Sequence, residues 1–126
     1  MVQTEISQLG MEARQWVEKL RQDRSELNAF RQRLQDLMGY RINRESMPQV
    51  EHYDNQFDIQ LSNINHLKHA VKEHERQLVW EETHPDTLSD GQIHTAHEEL
   101  ADRFGSLSHT ISELKSEFES FLREQP

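Results

Sequence analysis

Hydrophobic residues in the first third of the chain recur at alternating steps of four and three positions. They begin at Val2, and one polar residue, Asp23, occupies a position where the repeat calls for an apolar side chain. A repeat of about 3.5 residues is typical of a helix that buries a narrow stripe against neighbouring helices. The pattern predicts a helix over residues 2–39, with Trp16 in the core and Gly39 as a left-handed residue at its C-terminus.

A second helix is predicted over residues 47–82. Ser46 is a candidate N-cap, Pro48 suits the first turn, and Gln49 stands at the capping-box position. One series of core positions in this helix is entirely apolar. The other series is mixed: Tyr53, Gln60, Leu67 and His74. Two clearly polar side chains are therefore expected to point into the core from this helix.

A third helix is predicted over residues 89–124, and it opens with another candidate capping box at Ser89–Gln92. Its core residues keep the four-and-three spacing without a break from Ile93 to Phe121. Gly105 falls outside that stripe, so it should weaken the helix by about 1 kcal/mol without ending it.

Three helices of this length joined by short connections must run up, down and up. In one register the core positions of all three helices fall into common layers, one of which groups Trp16, Val71 and Leu100. Agreement between the local pattern and the overall topology is the strongest support for this fold. The sequence therefore predicts an all-α protein: a single coiled-coil-like domain over residues 1–126, folded as an antiparallel up-down-up three-helix bundle.

Hydrophobic residues make up only 33% of the chain, with four glycines and three prolines. So few apolar and turn-forming residues argue against a sandwich, a barrel or a doubly wound sheet. The absence of cysteine excludes disulfides and thiolate zinc sites. The sequence has no glycine-rich phosphate loop and no nucleophile elbow, and long helices offer few concave pockets. We therefore predict a protein that is not an enzyme and needs no cofactor.

Charge narrows the range of partners. Fourteen Lys and Arg residues stand against 23 Asp and Glu residues, which leaves a net charge of −9. Nucleic acid and anionic membranes would repel such a chain, so neither is expected as a partner. No apolar run approaches the roughly 20 residues that cross a bilayer, and the N-terminus lacks signal-peptide features. These features predict a soluble, cytoplasmic protein.

The basic residues are concentrated near the N-terminus, since more than half of them lie within residues 1–45. Two interpretations are open. The basic first helix complements two acidic helices inside the bundle, or a basic partner protein docks on the acidic helices.

A pair of histidines is the sharpest chemical feature of the sequence. The predicted register places His74 beside His97, with the small Ala13 opposite both and His94 one turn earlier on the third helix. The simplest interpretation is a hydrogen-bonded pair in the core, and the alternatives are a metal site and a pH-sensitive pair. Because protonating both rings would bury like charges, we predict that stability falls below about pH 6.

Asp23 and Gln60 are the other polar residues at core positions. A buried polar residue in such a repeat disfavours slipped pairings more than it strengthens the correct one. The spacing places no nucleophile or base beside either residue. We therefore interpret both as buried polar residues that specify the register of the helices.

A further candidate site lies on the outer face of the second helix. One heptad position there collects a stripe of His52, Ile59, His66, Glu73 and Trp80, and we single out its histidines and large apolar residues, His52, Ile59, His66 and Trp80. Val79 lies beside Trp80 in the sequence. Exposed hydrophobic residues on one helix face indicate a partner surface, although single exposed ones are common in monomers.

The segment VEHYDNQF at residues 50–57, followed by NHLKH at 65–69 and KEHE at 72–75, resembles a group of small, uncharacterised helical proteins from Bacteroidetes. The likeness is centred on residues 50–75 and implies no activity and no ligand. It draws attention to several polar side chains: His52, Asn55, Gln56, His69 and His74. The architecture, with Trp16 in the core stripe, is similar to a spectrin-type three-helix repeat.

The sequence favours a non-enzymatic protein-interaction or scaffold module. Elongated helical bundles present long, flat helix faces, which suit binding to a protein partner or self-association. The alternative is a histidine-dependent metal-binding or stress-related helical protein, which would use His74, His97 and His94.

Overall fold

The structure, a computed structural model, describes residues 3–39, 44–84 and 90–125. These residues form three long helices: α1 (Gln3–Gly39), α2 (Met47–Thr83) and α3 (Asp90–Arg123). A short 3-10 turn, Arg44–Ser46, leads into α2. No strand occurs in the described parts of the chain. The predicted all-α three-helix bundle is confirmed, and the helix bounds agree with the prediction to within one residue wherever they can be compared.

The predicted helix ends differ in detail from those in the structure. Gly39 is the last helical residue of α1 and does not adopt a left-handed conformation. Ser46 has helical backbone angles (φ −86°, ψ −10°) and its hydroxyl makes no capping hydrogen bond, so the predicted capping box is wrong there. An N-cap serine normally has extended angles, which the preceding 3-10 turn does not allow. Val2 and Ser89 lie outside the described residues.

The packing of aromatic and imidazole rings shows the register of the three helices. Phe30 of α1 lies against Phe57 of α2, with ring centroids 6.5 Å apart. His74 of α2 lies against His97 of α3, with centroids 5.1 Å apart. These are the partners that the aligned heptads predict, and they require α2 to run antiparallel to both of its neighbours.

Trp16 does not occupy the central position that the heptad pattern predicts for it. Val17 is buried instead, and the core stripe of α1 passes from Ala13 through Val17 to Leu20. Trp16 is half-buried at the edge of the core, where it still packs against the cluster that contains Val71. A straight helix drifts relative to a strict 3.5-residue repeat, which explains why the neighbouring residue turns inward.

The buried hydrophobic residues form two separate clusters. A large one fills most of the bundle, and a small one lies at the end where α1 and α3 begin and α2 ends: Ile6, Leu9, Leu78 and Ile93. His74 and His97 are also buried, and along their helices they lie between the residues of these two clusters. Gly105 lies inside α3 without ending it, and a Cβ at that position would contact nothing within 4 Å. Among the described helices, none is both long and apolar enough to cross a membrane.

Candidate functional site

A hydrogen-bonded chain of three side chains, one from each helix, crosses the bundle near the small cluster. His74 Nε2 lies 2.9 Å from His97 Nδ1, and both residues are buried. The other nitrogen of His97, Nε2, lies 2.6 Å from Glu12 Oε2. The aligned heptads predict the histidine pair. They do not identify the role of Glu12, which is half-buried beside the core and reaches inward from α1.

The partners of His97 determine where the protons lie in this chain. A carboxylate only accepts hydrogen bonds, so the Nε2–H group of His97 donates a hydrogen bond to Glu12. If the His97 ring is neutral, its Nδ1 carries no proton and must accept a hydrogen bond from the Nε2–H group of His74. A second added proton would place two N–H groups face to face across the 2.9 Å contact. The pair therefore holds at most one positive charge without breaking that contact.

The surroundings shift the titration of both ends of the chain. Burial lowers the pKa of His74, and the charge of the neighbouring His97 lowers the pKa further. The hydrogen bond from His97 lowers the pKa of Glu12 despite the opposing effect of its partial burial. Trp16 packs against the His97 ring, with centroids 4.7 Å apart. These contacts favour an ionised Glu12 at one end of the chain and a neutral His74 at the other.

The structure does not bring His94 into this chain. His94 is exposed on α3, one turn before His97. Within residues 3–39, 44–84 and 90–125, no group of three or more His, Asp or Glu side chains is arranged to hold a metal ion. The next position in the mixed series of α2 is Glu81, which is buried and accepts a hydrogen bond from Gln77 at 3.1 Å. The same heptad frame reaches Glu81, so this buried acid was predictable from the spacing.

Asp23 is buried in the core of the bundle and is only 1% exposed. Its Oδ1 accepts hydrogen bonds from Lys115 of α3 at 2.8 Å and from Lys19 at 3.0 Å. Lys115 also contacts Glu26, and its hydrogen bonds to the two acids raise its pKa, although burial acts in the opposite direction. Oδ2 of Asp23 has no hydrogen-bond partner among the described residues. Asp23 is therefore half of a buried ion pair, which the α1 sequence alone does not reveal.

Gln60 is buried, as its heptad position predicts. Its Oε1 accepts a hydrogen bond from Asn63 Nδ2 at 3.1 Å. Together with His66 it lines an open groove of about 600 Å³ between α2 and α3. The groove is lined by both polar and apolar side chains, the latter including Leu67 and Leu107. A register role for Asp23 and Gln60 stays a prediction.

The stripe on the outer face of α2 is exposed along its whole length. His52 and His66 are exposed, and Ile59 and Trp80 are each about half exposed. The Trp80 indole stacks on the His84 ring at 3.6 Å with the planes nearly parallel. Ile59 and Trp80 are about 30 Å apart along the helix, so they do not form one continuous apolar patch.

A groove between α1 and α2 is the main surface feature that sequence reasoning missed. It has a volume of about 580 Å³, and eight residues line it: Arg14, Val17, Glu18, Arg21, Lys72, Glu75, Arg76 and Val79. A smaller depression lined by Met11 and Val79 adjoins it towards the start of α1. The heptad pattern indicates which residues face inward. It does not reveal which outward residues of two helices meet at a groove.

The residues highlighted by the resemblance have different surroundings. His52, Asn55 and His69 are exposed, and Gln56 is half-buried. Only His74 contacts the core layer described above. The resemblance to helical proteins of Bacteroidetes and the similarity to a spectrin-type repeat both stay predictions. Comparison of the chain with family models, with curated proteins and with solved structures returned no match.

Proposed function

We propose that this chain is a non-enzymatic interaction module that binds another protein through exposed faces of α1 and α2. One observation carries the proposal. Within the described residues, the large hydrophobic side chains that are about half exposed or more all belong to α1 and α2: Met11, Met38, Ile59, Val79 and Trp80. None belongs to α3, so these exposed apolar side chains are confined to two of the three helices.

Three of these side chains lie at the same end of the bundle. Met11 and Val79 line one depression, and Trp80 follows Val79 on the outer surface of α2. Val79 is 60% exposed, although fully burying a Val or Met side chain stabilises a protein by about 1.5–3 kcal/mol. Met and Trp are enriched in protein interfaces, and Trp is common among the residues that dominate binding energy. This end is therefore the surface that a partner protein would cover.

The shape of the grooves supports binding to a macromolecule. The depressions between the described helices are long and open to solvent. Small-molecule sites usually enclose most of their ligand, whereas an amphipathic helix of a partner protein fits an open groove between two helices.

A photocrosslinking experiment in the native cells tests this function. A photoreactive amino acid at position 82 lies beside the Met11 and Val79 depression, and Glu82 itself is exposed and lines it. A control at Ser112 lies on the exposed face of α3. We expect a discrete crosslinked protein from position 82 and none from position 112. Equal crosslinking at both positions, or none at position 82, would contradict the proposal.

Matched substitutions identify the residues responsible. The double variant Val79→Ser and Trp80→Ser should abolish the crosslink while leaving the melting temperature unchanged, because both side chains are exposed. Ile59→Ser is the control, since Ile59 is similarly exposed on the same helix but lies far from this end. A crosslink that survives the double variant would show that the apolar end is not the binding surface.

A further inference from the structure

The groove between α1 and α2 concentrates positive charge in a protein of net charge −9. Four of its lining residues are basic: Arg14, Arg21, Lys72 and Arg76. Two are acidic, Glu18 and Glu75. The local excess is therefore opposite in sign to the charge of the whole chain. Such a local field selects and orients a partner of complementary charge.

Several basic side chains along this groove lack the acidic partners that others have. Arg21 pairs with Glu18, and Arg76 pairs with Glu73. Across the described chain, the structure contains no ion pair for three others: Arg14, Arg24 and Lys72. These charges remain available to carboxylates from outside the chain.

Lys68 shows that like charges are crowded on this side of the bundle. Partial burial lowers its pKa, and the positive charges of Arg24, Lys72 and Arg21 lower it further. Repulsion between like charges at such spacing destabilises the isolated chain, and an approaching anionic group relieves that repulsion. The crowding lies next to the groove and continues its positive surface along α1 and α2.

The groove also offers apolar contacts between its charged walls. Val17 lies buried at its base, and the exposed Val79 forms part of one wall. The adjoining depression adds Met11 at the end nearer the start of α1. Apolar contacts flanked by basic side chains match a helix with an apolar stripe bordered by Glu or Asp, whose anchors recur at three- and four-residue steps.

We propose that this groove binds an acidic amphipathic helix of a partner protein, which lies along α1 and α2 as a fourth helix. Its apolar residues contact Val17, Val79 and Met11, and its carboxylates pair with Arg14 and Lys72. This inference rests on the proposed interaction function, because it names the partner class for the same end of the bundle.

Charge and surface composition favour this occupant over a second copy of the chain. α3 is acidic and therefore complementary to the groove, but none of its described residues is an exposed large hydrophobic side chain. A second copy would supply carboxylates through α3 without apolar anchors. A nucleic acid bound here would extend beyond the groove. Its phosphates would then be repelled by the chain's net charge of −9, because they would lie within a Debye length of about 8 Å of the acidic surface. A short acidic helix avoids both difficulties.

Synthetic peptides test the partner class directly. The probe is a helical peptide of about 20 residues with Leu at the apolar positions and Glu on both flanks. One control peptide has the same composition in scrambled order, and a second has Lys in place of Glu. We expect the acidic helix to bind and to shift the amide NMR signals of Val17 and Val79. Both control peptides should bind at least about tenfold more weakly.

Charge-reversal variants locate the binding. The double variant Arg14→Glu and Lys72→Glu should weaken binding of the acidic peptide by about tenfold or more. Arg33→Glu with Arg123→Glu makes the same change in net charge at a depression on the other side of the bundle, and it should leave binding unchanged. If the first double variant melts early, Arg14→Gln with Lys72→Gln replaces it and should still weaken binding.

Several outcomes would overturn the inference. These are failure of the acidic helix to bind, equal binding by the Lys peptide, and equal loss in the two charge-reversal variants. Tighter binding of a DNA oligonucleotide than of the peptide would also overturn it. So would a dimer, detected by light scattering, that the Arg14→Glu and Lys72→Glu variant dissociates. If position 82 crosslinks a partner while the acidic peptide fails to bind, the interaction function stands and only the partner class is wrong.

Discussion

The two ends of the bundle are stabilised by different chemistry. At one end, which we call the aromatic end, five rings pack together: Phe30, Tyr53, Phe57, Phe118 and Phe121. At the other, the histidine end, the Glu12–His97–His74 chain lies beside a small separate apolar cluster. The rings of Phe57 and Phe118 meet edge to face at 4.9 Å, and both residues are fully buried. The ring contacts at the histidine end include imidazoles: the His97 ring lies 4.7 Å from Trp16 and 5.1 Å from His74.

The two ends should therefore differ in how their stability depends on pH. Dense aromatic packing is insensitive to pH, whereas a buried hydrogen-bonded chain of titratable groups links stability to protonation. Three exposed apolar residues, Met11, Val79 and Trp80, and the basic groove lie towards the histidine end. Binding surfaces are commonly drawn from the less stable parts of a protein, because groups suited to a partner are not optimised for internal packing.

The largest expected difference between the two ends comes from truncating a core side chain. Phe57→Ala should lower the free energy of unfolding by about 4 kcal/mol, because it leaves a large cavity among the rings. Leu78→Ala in the small cluster should cost only about 2 kcal/mol, since a cavity near the end of a bundle collapses more easily. Urea unfolding measures both values. Equal costs would show that the two ends pack equally well.

Breaking the ion pair between Asp23 and Lys115, which lies between the two ends, should have the next largest effect on the free energy of unfolding. Lys115→Met should cost about 3 kcal/mol, because it leaves the buried Asp23 carboxylate without its α3 partner. Adding Asp23→Leu should recover most of that loss, since a buried ion pair is often replaceable by apolar residues. Lys19→Met is the control and should cost less than about 1 kcal/mol, because Lys19 is exposed. No recovery in the double variant would argue that the pair itself is essential to the fold.

Lowering the pH should weaken the histidine end first. The folded state lowers the pKa of His74, so this residue's contribution is complete above its unfolded pKa of 6.5. That contribution is lost progressively as the pH falls below 6.5, because the unfolded chain then binds the proton more readily. The melting temperature should therefore be lower at pH 5 than at pH 7.5. The lowered pKa of Glu12 adds a further loss below its ordinary value of 4.5.

Hydrogen exchange determines where that loss occurs. At pH 5 the amides of Leu78 and Ile93 should lose protection relative to pH 7.5, after correction for intrinsic rates, while Phe57 keeps its protection. His74→Leu should reduce the pH dependence of the melting temperature, and His66→Leu, an exposed control on the same helix, should not. Identical melting temperatures at the two pH values would remove the proposed link between the histidine end and protonation.

The smallest expected effect is that of added metal. Zn²⁺ or EDTA should leave the melting temperature unchanged, because three of the four ring nitrogens of the histidine pair lie in the contacts within the Glu12–His97–His74 chain. A rise in melting temperature with Zn²⁺ that disappears in His74→Ala would instead support the metal-binding alternative.

The heptad pattern was enough to predict the three helices, their antiparallel order and the meeting of His74 with His97. These features depend on the period of apolar residues and on short connections, which a sequence displays directly. The same pattern failed for Trp16 and Val17, because one residue of drift around the helix exchanges an inward position for a flanking one.

Tertiary structure decided which side chains reach one another across the helices. The contacts of Glu12 with His97 and of Lys115 with Asp23 join residues far apart in sequence through long, flexible side chains at the margins of the core. The basic groove likewise exists only because α1 and α2 bring their outer faces together. Hydrophobic periodicity specifies how each helix faces the core, whereas polar contacts depend on the rotation and separation of whole helices, which only the packed bundle defines.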